Sequence, residues 1–533
     1  MKQKEDPNIL LKKFLNASEL INMKKIAQYF LERIDYLFLL FSILTLWGAF
    51  RSSNLSVTEL PNNFVFLLAV VIIFFFIVYS HSTSKLISSN FFKKSFLSFK
   101  RNIPLISLVI FFIIILLQIF ILSNITAAIG WDVGVIISNV NHPDKINGYL
   151  SDYPNNQLYY FIMYFYNKIL SIFSPTLNGN WLAFQMLNLV FIDMAAILLF
   201  KATKKLYGKK NAYLVLYLYM FLFMLSPWIM VPYTDQISLF LTTIVLYLYS
   251  NSKNVSGFPL FLTVIIIGTI IGISFLIKPS SIVYIIALAI IEVLKCFRKS
   301  HFSVKTIVIA SLILGSFFLP LAGFKFFMDN QGIVKIDSNR AMPWTHFVMM
   351  GLAGNGGYNF NDIKRDQAIK DPILRKESNK EVIMQRLTEH KTAGYIKFLI
   401  QKHFNNTDRG DFGWGKDGTP QIPEKKSKNN IQTFLRELYY QQGKKANILR
   451  FYMQIFWIVI LIGMAGSFKI NFKKYDTFCG KLTIVGAFLY LLLFEGGRSR
   501  YLIQYLPFFL IVSSIGWTNI SILFMDKKKR LNL

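Results

Sequence analysis

The chain is poor in acid and in cysteine. Of 533 residues, 28 are Asp or Glu against 58 Lys or Arg, and only two are Cys. Cys296 and Cys479 each lie beside a basic connector. Two thiols allow at most one bridge, which excludes a disulfide framework. No HExxH or paired-Cys spacing surrounds the six histidines, so no metal centre is expected. A GxxxxGK[ST] loop and a Rossmann glycine fingerprint are also missing, and no cofactor is expected. The opening stretch MKQKEDPNILLKKFLNASEL lacks the apolar core and small-residue cleavage site of a secretory signal.

Apolar residues fill the space. They make up 54% of the chain, Phe alone contributing 52. A soluble protein cannot hide that much apolar surface, so the expected class is an all-α polytopic membrane protein. The net charge of +30 would suit nucleic acid. The basic residues, however, sit in short runs between apolar segments, the pattern that sets membrane topology, and no nucleic-acid partner is expected.

A hydrocarbon core of about 30 Å needs roughly 20 apolar residues in a helix. Twelve spans follow: 35–50, 63–80, 103–123, 181–200, 212–230, 236–250, 258–277, 281–295, 305–327, 449–468, 482–495 and 503–524. The stretch QLYYFIMYFYNKILSIFS at 157–174 is ambiguous, and charge decides it. If it crosses, the basic runs FKKSFLSFKR and KATKKLYGKK fall on opposite sides. If it lies along the interface, every basic run is cytoplasmic, as are both termini. The expected organisation is a cytoplasmic basic segment 1–34, a transmembrane domain 35–327 with an outer loop 124–180, a small, mainly helical extracytoplasmic domain 328–448, transmembrane helices 449–525, and a basic tail 526–533.

The outer face holds the residues fit for chemistry. Asp132 follows a span directly in GWDVGV. Loss of solvation at the lipid boundary would raise its pKa toward the range useful to a base, although a helix cap or solvated loop suits Asp equally. Asp152 lies in SDYPNNQ, where Asn155 and Asn156 supply amides, and Tyr149, Tyr153 and Trp131 supply rings for a sugar face; a cap is again the plain alternative. Asp235 precedes an apolar helix in VPYTDQ, an N-cap position that also suits a substrate contact. Lys278, Arg498 and Arg500 are cations where outer loops are normally depleted of them. Arginines at i and i+2 beside two glycines, in EGGRSRY, suit bidentate phosphate binding, with Glu495 to orient one of them.

Taken together, Asp132, the 157–174 helix and the late segment Arg500-Tyr501 with Pro507 resemble the GT-C integral membrane glycosyltransferases, a superfamily that includes protein O-mannosyltransferases and aminoarabinose transferases. The segments PYTD, KPS and PWTHFVMMGLAGNGGYN look like a Gram-positive branch. Two features depart from the pattern: two helices, within 35–80, precede the unit of one span and its acidic outer loop, and Asp132 has no acidic neighbour. That leaves Asp132 and Asp152 both open as the catalytic base. The resemblance implies a sugar moved from a polyprenyl-phosphate donor to a cell-wall or lipid-anchored glycopolymer at the outer face of the cell membrane. It implies donor-phosphate binding by Arg498, Arg500 and Lys278. Trp131, Asn155, Asn156, Asp235, Tyr501, Trp344, His346 and Trp414 are the implied substrate contacts, with Tyr358 and Asp411 as further candidates. A lipid or glycan transporter, for which Asp193 would be a relay, and a glycopolymer polymerase or ligase are the rival expectations.

Overall fold

The structure is a computed structural model that describes residues 17–56, 67, 90–299, 304–414, 426–470 and 475–531. Seventeen α-helices run in chain order through them: α1 Ala17–Phe50, α2 Asn90–Ile125, α3 Trp131–Ser138, α4 Asn147–Asp152, α5 Gln157–Phe173, α6 Trp181–Tyr219, α7 Thr234–Ser252, α8 Phe258–Ile277, α9 Ile282–Lys299, α10 Val304–Asn330, α11 Trp344–Met350, α12 Phe360–Ala368, α13 Pro372–Thr407, α14 Asn430–Tyr439, α15 Ala446–Ala465, α16 Tyr475–Leu493 and α17 Leu506–Leu531.

Nine helices among the described residues are long and apolar enough to cross a membrane. The expected twelve differ for three reasons. The 63–80 span lies outside the described residues. The segment Trp181–Met224 is counted once, yet 44 residues at 1.5 Å each would extend about 66 Å, twice the hydrocarbon core. Gly208, at φ 86°, breaks it into two passes. Helix α7, expected to span, is not among the nine. Helix α1 runs unbroken across residue 34, and α17 runs on to Leu531.

The bundle's outer surface is apolar. Leu105, Phe112 and Leu116 on α2 and Leu314, Phe318 and Leu319 on α10 are all more than half exposed. Such faces are stable against lipid and unstable in water. Inside, Asp35 of α1 and Lys481 of α16 form a buried ion pair, and Lys481 also donates to the Ser467 carbonyl at 2.7 Å. Asp193 on α6 lies beside Gln118 of α2, whose amide donates to the Met224 carbonyl at 2.9 Å. Both cysteines are buried.

Short turns make successive long helices antiparallel, so alternate connectors share one end of the bundle. That end carries 126–180, 225–233, 278–281, 331–445 and 494–505. The described part of segment 331–445 is mainly helical, and two arginines hold it together. Arg375 donates to the carbonyls of Asp366, Ile369, Asn339 and Ala341 at 2.6–3.1 Å. Arg386 grips the Asp362 carboxylate at 2.7 and 2.8 Å.

Helix α5 is amphipathic. Tyr159, Tyr160, Met163 and Asn167 are buried, while Phe165, Ile169, Ile172 and Phe173 project outward, the last two at about 80% exposure. It falls short of the length and composition of a span, as the charge argument requires of an interfacial helix.

Candidate active site

Asp132 occupies the first turn of α3, where the free backbone N–H groups favour a carboxylate. The Tyr233 hydroxyl donates to Asp132 Oδ2 at 2.9 Å. The Tyr149 phenol lies beside Asp132, and its oxygen accepts from Asn156 Nδ2 at 2.6 Å. Burial and, next, the charge of Asp132 hold both phenols well above their ordinary pKa, so they remain donors. Just before Asp132, Trp131 has φ 59° and a half-exposed indole. A bulky residue at positive φ is strained, and such strain clusters at functional sites.

The cations converge on the same place. The Arg498 guanidinium lies 5.5 Å from the Trp131 ring centre and 5.9 Å from that of Tyr358. The Arg500 guanidinium lies 5.2 Å from the ring of Tyr233 and 5.1 Å from that of Tyr501. Lys278 approaches Tyr501 at 5.0 Å and forms an ion pair with Asp235. Burial lowers the pKa of Lys278, against the opposing pull of Asp235. Burial likewise raises that of Glu495, opposed by Arg498 and Arg500. Glu495 accepts from the Tyr501 hydroxyl at 3.2 Å. Three cations and three carboxylates, Asp132, Asp235 and Glu495, thus share one cluster, and Arg498 remains partly accessible.

Two interlocked loops hold the arginines. The Ser499–Tyr505 turn is tied to the KPSS turn, with Gln504 Nε2 donating to Ser280 Oγ at 2.8 Å and the Tyr505 hydroxyl to the Ser280 carbonyl at 2.5 Å. The glycines of GLAGNGG meet those of EGG. Gly496 N–H donates to the Gly356 carbonyl at 2.8 Å, and a Cβ on Gly357 would lie 2.8 Å from the Gly496 oxygen. Gly497, at φ 73°, donates to Asn406 Oδ1 at 2.5 Å. Lys402 seals the joint by donating to the carbonyls of Gly351, Leu492 and Phe494 at 2.6, 3.0 and 2.7 Å.

Several expected contacts have other partners. Asp152 accepts both Arg340 bonds, at 2.9 and 3.0 Å, and one from Gln367 at 3.1 Å. These donors fasten α4 to the 331–445 segment and occupy the carboxylate. Asp235 is completely buried beneath Lys278 and Arg500, the latter at 3.6 Å, where no substrate reaches it. His346 is buried and bonds Asp366 at 2.8 Å. Trp414 is buried edge-on against Trp228, and Asp411 is buried against Arg409 at 2.7 and 3.0 Å. These three residues pack within the fold. Trp344 is exposed, and Asn155 is half-buried beside Asn156. Sequence reasoning passed over Tyr233, whose only signal is its place just before Thr234-Asp235.

Fold and surface define a multi-pass integral membrane protein. The chain belongs to a family described as conserved hypothetical integral membrane proteins, whose model matches residues 26–521. Among solved structures it is similar to the oligosaccharyltransferase of Archaeoglobus fulgidus, tethered there to an acceptor peptide containing the NVT sequon. The identity is 12% and the TM-score 0.37, over 80% of this chain and 50% of that one. The chain therefore spans half the length of that enzyme. No curated protein matches.

Proposed function

We propose that the protein is a GT-C type membrane glycosyltransferase that moves a sugar from a polyprenyl-phosphate donor to an envelope glycan or lipid acceptor on the extracytoplasmic side of the cell membrane. The observation that carries this reading is the convergence of one partly exposed carboxylate, held by Tyr233, with Arg498, Arg500 and Lys278 at one end of an apolar bundle.

Asp132 is the base. It takes the proton of an acceptor hydroxyl as that oxygen forms a bond to the anomeric carbon. The bond from that carbon to the phosphate oxygen breaks, and its electron pair leaves on polyprenyl phosphate. Single displacement inverts the anomeric centre. Arg498 and Arg500 stabilise the charge growing on the leaving group; a single such donor is worth about 10²–10³ in rate. Asp235 keeps Lys278 and Arg500 in place without contacting substrate. Asp152, saturated by Arg340 and Gln367, positions the loop, so that of the two acid candidates Asp132 is left to react. Trp131 and Tyr358 offer faces for the sugar, with Tyr501 beneath Arg500 and Lys278.

The test uses purified protein in lipid with radiolabelled polyprenyl-phosphate sugars and envelope polymer. Transfer of single sugars is expected, with polyprenyl phosphate released in equal amount. Long chains in the product would indicate a polymerase. Donor carried across the bilayer intact would indicate a transporter.

A further inference from the structure

We propose that Tyr233 is a positioning residue that joins the base to the phosphate pocket, with its hydroxyl on Asp132 and its ring under Arg500. The kinetic part of this inference rests on the glycosyltransferase reading; the hydrogen bond itself does not.

The geometry leaves Tyr233 little freedom. It is the extended residue just before α7, at φ −140° and ψ 177°, and is 6% exposed. The ring of Tyr159 meets it edge-on with centres 5.7 Å apart. The Tyr159 hydroxyl donates to the Pro232 carbonyl and so fixes the turn that presents Tyr233. From there the phenol reaches Asp132 Oδ2 at 2.9 Å, while the face of the same ring carries the Arg500 guanidinium at 5.2 Å. A cation over a phenol ring draws electron density from it and strengthens the O–H as a donor. Arg500 is itself steadied by Asp235, 3.6 Å away, whose Oδ2 has no hydrogen-bond partner. One residue therefore touches both halves of the site.

With Tyr233 donating, the Asp132 carboxylate is held in one orientation, and the acceptor hydroxyl must use the oxygen positions left to it. The groups facing Asp132 from its neighbours are Tyr149 and Tyr153 of the same loop, Tyr233, Tyr358 and Glu495.

The experiment compares wild-type protein with Tyr233→Phe in lipid, reading kcat, donor KM and the acid limb of the rate profile. A bond to a charged group is worth about 10- to 100-fold. The expected result is a kcat lower by that factor, a donor KM within about twofold, and an acid limb moved to higher pH. An unchanged kcat and acid limb would overturn the proposal, as would a rise in KM with kcat preserved. Should Tyr233→Phe fail to fold, 3-fluorotyrosine at position 233 retains size and sharpens the donor. It should lower the acid limb, and an unmoved limb would overturn the proposal. If the wild type transfers no sugar at all, the glycosyltransferase reading falls by itself. The titration of Asp132 followed by the infrared band of labelled aspartate then decides: a higher midpoint in Tyr233→Phe upholds the coupling, and equal midpoints reject it.

Discussion

Lys402→Met would loosen the joint that carries Glu495 and Arg498. The ammonium of Lys402 is fully buried and serves three carbonyls, those of Gly351, Leu492 and Phe494. Methionine fills the space and serves none. Each of the three carbonyls left unpaired costs about 1–3 kcal/mol, and relief from desolvating the ammonium offsets part of that, so the net loss is about 3 kcal/mol. The amides of Gly496 and Gly497 report on the joint directly, because their acceptors, the Gly356 carbonyl and Asn406 Oδ1, both belong to the 331–445 segment. Hydrogen exchange at these two amides should quicken by roughly 100-fold in the variant. The pH dependence sharpens the test. Burial pushes Lys402 down to about 7, partly opposed by Glu495. An opened joint returns the lysine to water, where its value is about 10.4. Between these values the open form binds more protons than the closed form, so closure gains with rising pH, by roughly 4 kcal/mol across the window at most. Protection, corrected for intrinsic exchange, should therefore rise from pH 7 upward in the wild type and stay flat in Lys402→Met. Equal protection in both proteins at every pH would refute the reasoning.

Other outcomes follow from the same contacts. Asp152→Ala strands Arg340 and Gln367 and should lower stability by about 1–3 kcal/mol in thermal unfolding, whereas Asp152→Asn keeps most transfer activity because the carboxylate does not react. Gly357→Ala drives a methyl against the Gly496 oxygen and should cost about 1–3 kcal/mol with activity falling in parallel. Burial lowers the pKa of Lys278, so donor binding should weaken at a pH below the ordinary lysine range; Lys278→Met should remove that alkaline limb, measured by donor KM against pH.

Much of the architecture was legible because lipid imposes a simple code. Apolar runs of about 20 residues and basic connectors gave most spans and gathered Asp132, Lys278, Arg498 and Arg500 at one end of the bundle. The amphipathic face of α5 was readable from Phe165, Ile169 and Ile172 in the same way. What escaped was pairing across long stretches of chain. Asp152 looked free until Arg340, 188 residues on, filled its carboxylate. Asp235 looked like a cap until Lys278 and Arg500 covered it. The glycines of GLAGNGG read as turns, and only the fold puts them against EGG. His346 and Trp414 carried residue types common at sugar sites, yet their burial follows from helix packing that no local pattern encodes.

The most direct test of the central claim is sugar release from a polyprenyl-phosphate donor by wild type and Asp132→Asn, both in lipid and both checked for donor binding. The asparagine keeps the shape and the tyrosine contacts but cannot take a proton. The account predicts equal donor binding with turnover in the variant lower by at least about 100-fold. Full turnover by Asp132→Asn would contradict it and leave Asp132 a structural residue.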